Sequence, residues 1–288
     1  MIDNEDDGYS DTHRAFLQAF IAARTLNLAT AKSRLALCLS AQDGRQRSPQ
    51  DIEESLIDIY VSAIKDKIQI LDLDIVKTRD EADGSILWVF VNAVSDAATQ
   101  SATSFDSAYD LPFLRKLLDN MFRENNTNNG ELMSVTSTEA LHHAKSCGLS
   151  MLAAENLLSK LVKGEWLCLS DNGSYSLSPR AAVELRNYLR LTYANDSDDE
   201  EDQALRNFIR IKDCGVCKTL VTRGFRCLNN RCTFYVHEHC STNLSNSKKC
   251  PSCNNLWRTS IVGPNATRSG HERSTFDGAL EDIQGELD

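Results

Sequence analysis

Seven of the chain's ten cysteines fall between Cys214 and Cys253, in the stretch CGVCKTLVTRGFRCLNNRCTFYVHEHCSTNLSNSKKCPSC. Three ligand pairs there are separated by two residues: Cys214 and Cys217, His237 and Cys240, Cys250 and Cys253. A two-residue gap lets one tight turn present two donors to a single zinc ion, and Cys227 with Cys232 supplies a fourth, looser pair. Seven thiols cannot all pair as disulfides, whereas adding His237 gives eight donors, enough for two tetrahedral sites. Thiolate and imidazole sets with no open position are those of structural zinc, so the expected cofactor is two Zn2+. Binding of this kind is worth ~10–16 kcal/mol in finger peptides, and so short a module has little core of its own to fold around.

The start, MIDNEDDGYSDTH, is acidic where a secretory leader carries positive charge and then an apolar core. The longest near-apolar run, residues 86–94, is far shorter than a bilayer span, so no membrane partner is expected. The expected setting is cytosolic or nuclear, where thiols stay reduced and clustered cysteines bind metal. In the interleaved arrangement of RING-type modules, Cys214, Cys217, His237 and Cys240 would share one zinc and Cys227, Cys232, Cys250 and Cys253 the other. His239 is the rival donor; His237 is preferred because it alone leaves the two-residue gap to Cys240. A PHD finger, a reader of histone tails, has the same ligand order, but Lys248 stands where those fingers usually carry tryptophan.

Positioning elements occupy the rest of the 288 residues, a length that suits two or three modules. A net charge of −10 and a pI near 5.1 argue against a chain built to grip nucleic acid and favour a protein partner. Direct DNA reading would have to rely on a local face of Lys145, Lys160, Lys163, Arg180, Arg186 and Arg190, which reads more simply as surface charge.

Residues 1–10 form an acidic tail. Residues 11–124 read as a first winged-helix domain with a flanking helix: one helix from Asp11 or Thr12 to about Asn27, a second from Thr30 to Ala41, and a third from the capping Ser48-Pro49 to about Lys67. Strands at 68–77 and 86–94 follow, joined by a turn at Asp80–Gly84. The flanking helix runs from Pro112 to Glu124, after a polar loop that Phe105 and Tyr109 would anchor.

Residues 131–194 repeat the order as a second winged helix. Thr136 with Glu139 makes a capping box, Ser150 opens the next helix, a hairpin turns at Asp171-Asn172-Gly173, and Ser178-Pro179 starts a last helix. Residues 195–204 are an acidic linker in which Ser197 suits an acidophilic kinase. Residues 205–257 form the zinc module, entered by a short helix with Leu205, Phe208, Ile209 and Ile211, and residues 258–288 a disordered tail. Cys38, Cys147 and Cys168 read as packing residues, and His142 and His143 as one exposed and one packed ring. The fold class is therefore α+β: tandem winged helices, then a C-terminal variant RING.

Taken together, the two winged helices, the acidic linker and the order of four cysteines, one histidine and three cysteines resemble the non-SMC element one family, RING subunits of the SMC-family complex that works in DNA repair. The likeness covers residues 10–257 and is most specific in the eight ligands and in WLCLSDNGSYSLSPRAAVELRNYL. It implies a nuclear protein that pairs with a MAGE-family subunit and, with a kleisin subunit, joins the SMC complex. It also implies E3 ubiquitin ligase activity supported by the MAGE partner. Val216 and Pro251 match positions at which RING ligases touch the ubiquitin-conjugating enzyme. Leu244 stands at another such position, where many RINGs place tryptophan, and Asn254 where active ones often carry arginine. Weak activity of the isolated chain is therefore expected. A non-catalytic scaffold is the alternative class.

Overall fold

A computed structural model describes residues 8–93, 110–127, 130–194, 210–229, 231–244 and 248–266. The expectations for the two terminal tails up to residue 7 and from 267, for Phe105 and Tyr109, for the acidic run with Ser197, and for Leu205, Phe208 and Ile209 lie outside these residues.

In the first winged helix, α1 (Asp11–Ala23) ends earlier than its apolar pattern suggests, because Arg24 turns at φ 62°. Thr25–Asn27 then becomes strand β1 rather than the last helical turn. The Asn27 side chain caps α2 (Leu28–Asp43), accepting from Thr30 N–H, and Gly44 at φ 68° stops it. The helix expected from Ser48 is split in two. Ser48-Pro49 opens a single 3-10 turn, Ile52 is extended and plugs the core, and α3 runs only from Glu54 to Ile68.

β2 (Leu73–Arg79) and β3 (Ile86–Asn92) complete a sheet of order β1-β3-β2. Trp88 and Phe90 of β3 join Phe16, Phe20, Ile57 and Ile64 in the domain core. Leu87, Val89 and Val91 belong to a separate cluster, with Val76 and with Val183 of the next domain. A strand covered on both faces is written as a continuous apolar run, which is how residues 86–91 read.

α4 (Asp110–Asp119), prolonged by a π-helical turn to Glu124, corrects the predicted domain boundary. Its Phe113, Leu117 and Met121 belong to the second core, so the helix opens the second winged helix instead of flanking the first. A short hairpin, β4 (Asn126–Thr127) with β5 (Gly130–Glu131), leads to β6 (Ser134–Thr136). α5 (Ser137–Ser146) follows with the Thr136–Glu139 capping box in place, and Ser150 caps α6 (Met151–Lys163). β7 (Leu167–Leu169) and β8 (Ser174–Leu177) flank the turn with Gly173 at φ 77°. α7 (Pro179–Glu184) and α8 (Arg186–Tyr193) end the domain. The sheet order β6-β8-β7 repeats that of the first domain.

The zinc module holds β9 (Gly224–Cys227), β10 (Tyr235–Val236), the one-turn α9 (Glu238–Ser241) and β11 (Thr259–Val262), in the order β10-β9-β11. The last strand corrects the expectation of a disordered tail from 258. Its four residues, β-branched but for Ser260, pair with all of β9, and Gly263 N–H beyond it donates to Glu131 O at 2.7 Å. Among the described residues no helix is long and apolar enough to cross a membrane.

Candidate metal centre

Two donor groups form from residues far apart in the chain. The ligand atoms of Cys214, Cys217, His237 and Cys240 all lie within 4.8 Å of one another, and so do those of Cys227, Cys232, Cys250 and Cys253. In the second group Cys227 Sγ is 3.8 Å from Cys253 Sγ and Cys232 Sγ 3.7 Å from Cys250 Sγ. A tetrahedron with zinc–sulfur arms of ~2.3 Å has edges of about 3.8 Å, so the donor type and spacing both fit Zn2+.

Two similar turns build the sites. Cys214 N–H donates to Thr219 O and Lys218 N–H returns to Cys214 O, with Lys218 at φ 62°. Cys250 N–H donates to Asn255 O and Asn254 N–H returns to Cys250 O, with Asn254 at φ 61°. The left-handed residue after each Cys-x2-Cys folds the chain back over the site. Asn254, which departs from the ligase pattern, is thus a residue type that tolerates this conformation well.

His237 is placed as a donor by its surroundings. Its Nδ1 faces the thiols, 3.2 Å from Cys217 Sγ and 4.0 Å from Cys240 Sγ, while Nε2–H donates to Leu220 O at 2.9 Å. The rival His239 stacks on it, ring centroids 5.1 Å apart and nearly parallel, outside the donor group. Without metal, burial works against a charged His237 ring, but its bond to Cys214 and the nearby Glu81 carboxylate outweigh burial and lift it to about 12. Cys214, raised by burial and lowered more by the His237 bond, falls to about 6. Cys227 is pushed up to about 12, chiefly by burial and then by the neighbouring thiols. Donors must shed these protons to ligate, so zinc loading is a proton-releasing event.

Sequence reading missed the polar groups that seat the module. Lys212, wholly buried, bonds Glu131 at 2.9 Å and Asn126 Oδ1 at 2.6 Å; Tyr235 OH donates to Glu131 at 2.8 Å, and Arg226 lies 3.3 Å from the same carboxylate. From the first winged helix, Glu81 reaches Thr222 and Arg223. Neither glutamate stands out by spacing. A buried charge tied to partners 80 or more residues away leaves no local pattern.

The remaining side chains divide clearly. Cys38 and Cys147 are half-buried against the two winged-helix cores. Cys168 corrects the packing expectation: it is exposed on β7 and lines an open cleft of about 440 Å³ with Glu81, Asn172 and Arg223. His142 is exposed, and His143 bonds Asn120 at 2.7 Å. Of the six basic residues, Arg180 pairs with Glu184 and lies over Trp166, while Arg186 and Arg190 both reach Asp213 of the zinc module. Val216 is 42 % exposed and Pro251 exposed, whereas Leu244 is half-buried against the core.

Comparison with known proteins agrees with this architecture. A family model described as the Nse1 non-SMC component of the SMC5-6 complex matches residues 13–185, and a RING-like domain model matches residues 214–253. The non-structural maintenance of chromosomes element 1 homolog of Homo sapiens is 24% identical over 251 residues, which cover 86% of this chain and 84% of that protein. Its counterpart in Xenopus laevis is 24% identical, covering 91% and 88%, and that in Drosophila melanogaster 27%, covering 70% and 77%. A chain in the solved structure of an Nse1-Nse3-Nse4 complex shares the fold, with TM-score 0.67 and 23% identity, over 86% of this chain and 97% of that one. With more than half of its length inside one family model, the chain belongs to the family of Nse1 non-SMC components of the SMC5-6 complex.

Proposed function

We propose that the chain is the RING-type E3 ubiquitin ligase subunit of an SMC-family DNA repair complex in the nucleus. The observation that carries the reading is the disposition of the metal module. Its eight donors point into two closed groups, while Val216 and Pro251, one on each metal turn, remain at the surface. Two closed four-coordinate sites leave no position for a reacting ligand, so zinc would supply rigidity rather than chemistry.

The chain's part would then be positioning. Val216 and Pro251, with the exposed portion of Leu244, would hold a ubiquitin-loaded conjugating enzyme so that a substrate lysine meets the thioester in a productive geometry. The solved assembly that combines Nse1, Nse3 and Nse4 chains supports partners of that kind. The family resemblance implies a MAGE-family and a kleisin subunit in those roles.

The test is ubiquitin discharge from a loaded conjugating enzyme, with and without the MAGE partner. Stimulation that needs the partner, and that falls at least tenfold in Val216→Asp or Pro251→Ala at unchanged zinc content, supports the ligase. Absence of stimulation across enzyme pairings favours the scaffold, a reading in keeping with the half-buried Leu244 and with Asn254 in place of arginine.

A further inference from the structure

The wing of the first winged helix, the turn that joins β2 to β3, ends on the outer side of the first metal site. In that turn Asp80 N–H donates to Ser85 O and Gly84 N–H to Asp80 O, both at 2.9 Å, which leaves Glu81 at the tip. Glu81 Oε2 accepts from Thr222 N–H at 2.8 Å and from Arg223 N–H at 2.6 Å, with Thr222 Oγ1 at 3.2 Å. Its other oxygen, Oε1, stands 3.7 Å from His237 Nε2. Gly84 meets the module beside it: a Cβ there would lie 2.7 Å from that of His239, which itself stacks on His237.

One short segment links these contacts. Leu220 O holds Nε2–H of the ligand imidazole, and two and three residues on, the N–H groups of Thr222 and Arg223 hold Glu81. The imidazole is therefore oriented by a carbonyl from its own module and faced by a carboxylate 141 residues away from the segment it grips. Among the described residues the second site has no such carboxylate partner. Cys227, Cys232 and Cys250 are packed by Phe234 and Trp257 of the zinc module itself.

We infer that Glu81 is the outer carboxylate of the first metal site, a positioning residue that links metal loading at Cys214, Cys217, His237 and Cys240 to docking of the first winged helix. Outer partners of a ligating histidine fix its tautomer and orientation and raise its basicity. Their loss typically costs roughly 10–100-fold in metal affinity. The linkage is reciprocal: whatever factor the docked wing contributes to zinc binding, zinc contributes to docking of the wing.

The experiment uses the full chain, first verified to carry two zinc ions, and titrates it with a competing chelator while a chromophoric indicator reads released metal. Glu81→Ala should lose one zinc per chain at roughly 10–100-fold lower chelator activity and keep the second. Cadmium NMR of the substituted protein, in which three thiolates with one imidazole resonate apart from four thiolates, should show that the mixed site is the one emptied. Glu81→Gln, which keeps the shape and loses the charge, should fall in between.

The decisive arm is a cycle with His237→Cys, which replaces the imidazole by a fourth thiolate. If Glu81 acts through the ring, Glu81→Ala changes metal retention by less than threefold in that background. Persistence of the full effect there, release of both ions together, or a parental release profile in Glu81→Ala overturns the inference. If His237→Cys does not fold, the cadmium signal lost in Glu81→Gln decides alone: loss from the four-thiolate site refutes the assignment.

Discussion

The two winged helices share one element order and one sheet order but close their cores differently. The first is shut on itself: among the described residues, Phe16, Phe20, Leu35, Ile57, Ile64 and Trp88 cluster with residues of that domain only. The second is open at one side. Its Leu117, Phe122, Val135 and Leu161 belong to the same apolar cluster as Val221, Val236 and Val262 of the zinc module. Cys214 and Cys240 lie in that shared cluster, whereas Cys227, Cys232 and Cys250 form a satellite of their own. The second winged helix and the RING-like module are thus packed around one apolar core. The first winged helix holds on through a polar wing tip and through an apolar patch in which Val183 meets β3. Two copies of one fold therefore serve different ends, the second as a foundation for the metal module and the first as a clamp upon it.

Metal removal should separate the two winged helices most strongly. Stripping both ions forfeits a contribution on the order of 10 kcal/mol. By hydrogen exchange, protection should vanish from the module and from the second winged helix together, while α1 to β3 keep theirs. Cys214→Ser should reach into the second winged helix, and Cys227→Ser should act mainly around Phe234 and Trp257. Equal loss in both winged helices would show that the cores are not separate.

Smaller effects sharpen the contrast. Phe20→Ala should cost ~3–5 kcal/mol in the first domain while leaving both metals bound, as read by calorimetry beside zinc content. Glu131→Ala strands the buried Lys212 without its carboxylate, for which ~3–5 kcal/mol is the usual cost of breaking such a pair. Its effect should fall on the joint between the module and the second winged helix, lowering the midpoint of that unit alone.

Much of this architecture can be read in the sequence, and the failures have long-range causes. Capping signals placed α5, α6 and α7 correctly because Thr136, Ser150 and Ser178 act within one turn. Spacing likewise indicated which donors pair on one turn, since a metal turn is a short-range object, whereas which pairs share a site followed from the RING-type ligand order. What escaped were features decided at long range. Thr25–Asn27 is a strand because β3 offers it partners 60 to 64 residues later. Ile52 breaks its helix to fill the first core, and α4 looks neutral between domains until the second core claims Phe113 and Leu117. Glu81 and Glu131 carry no pattern at all, since an acidic residue in a turn or at the end of a short hairpin normally faces water.

The smallest expected effect probes the self-contained domain at its edge. Asp43 is the last residue of α2, where a carboxylate opposes the helix dipole. Arg47 compensates: its two guanidinium nitrogens meet both carboxylate oxygens at 2.8 and 2.6 Å, and Arg45 N–H adds a bond at 3.0 Å. The Arg47 bond is the main reason that Asp43 is held down to about 2. A carboxyl depressed in the folded state adds stability above its unfolded value of ~3.9 and loses it as pH falls toward 2. The pair is solvent-exposed, so the gain is small and salt should erode it. A residue-specific NMR titration of the Asp43 carboxyl should give a midpoint near 2 that returns toward ~3.9 in Arg47→Ala. Because that signal reports on the end of α2 itself, it should follow the same curve whether or not acid has displaced zinc. A midpoint that moved with metal loss would mean that the first winged helix feels the module through more than its wing and the β3 patch.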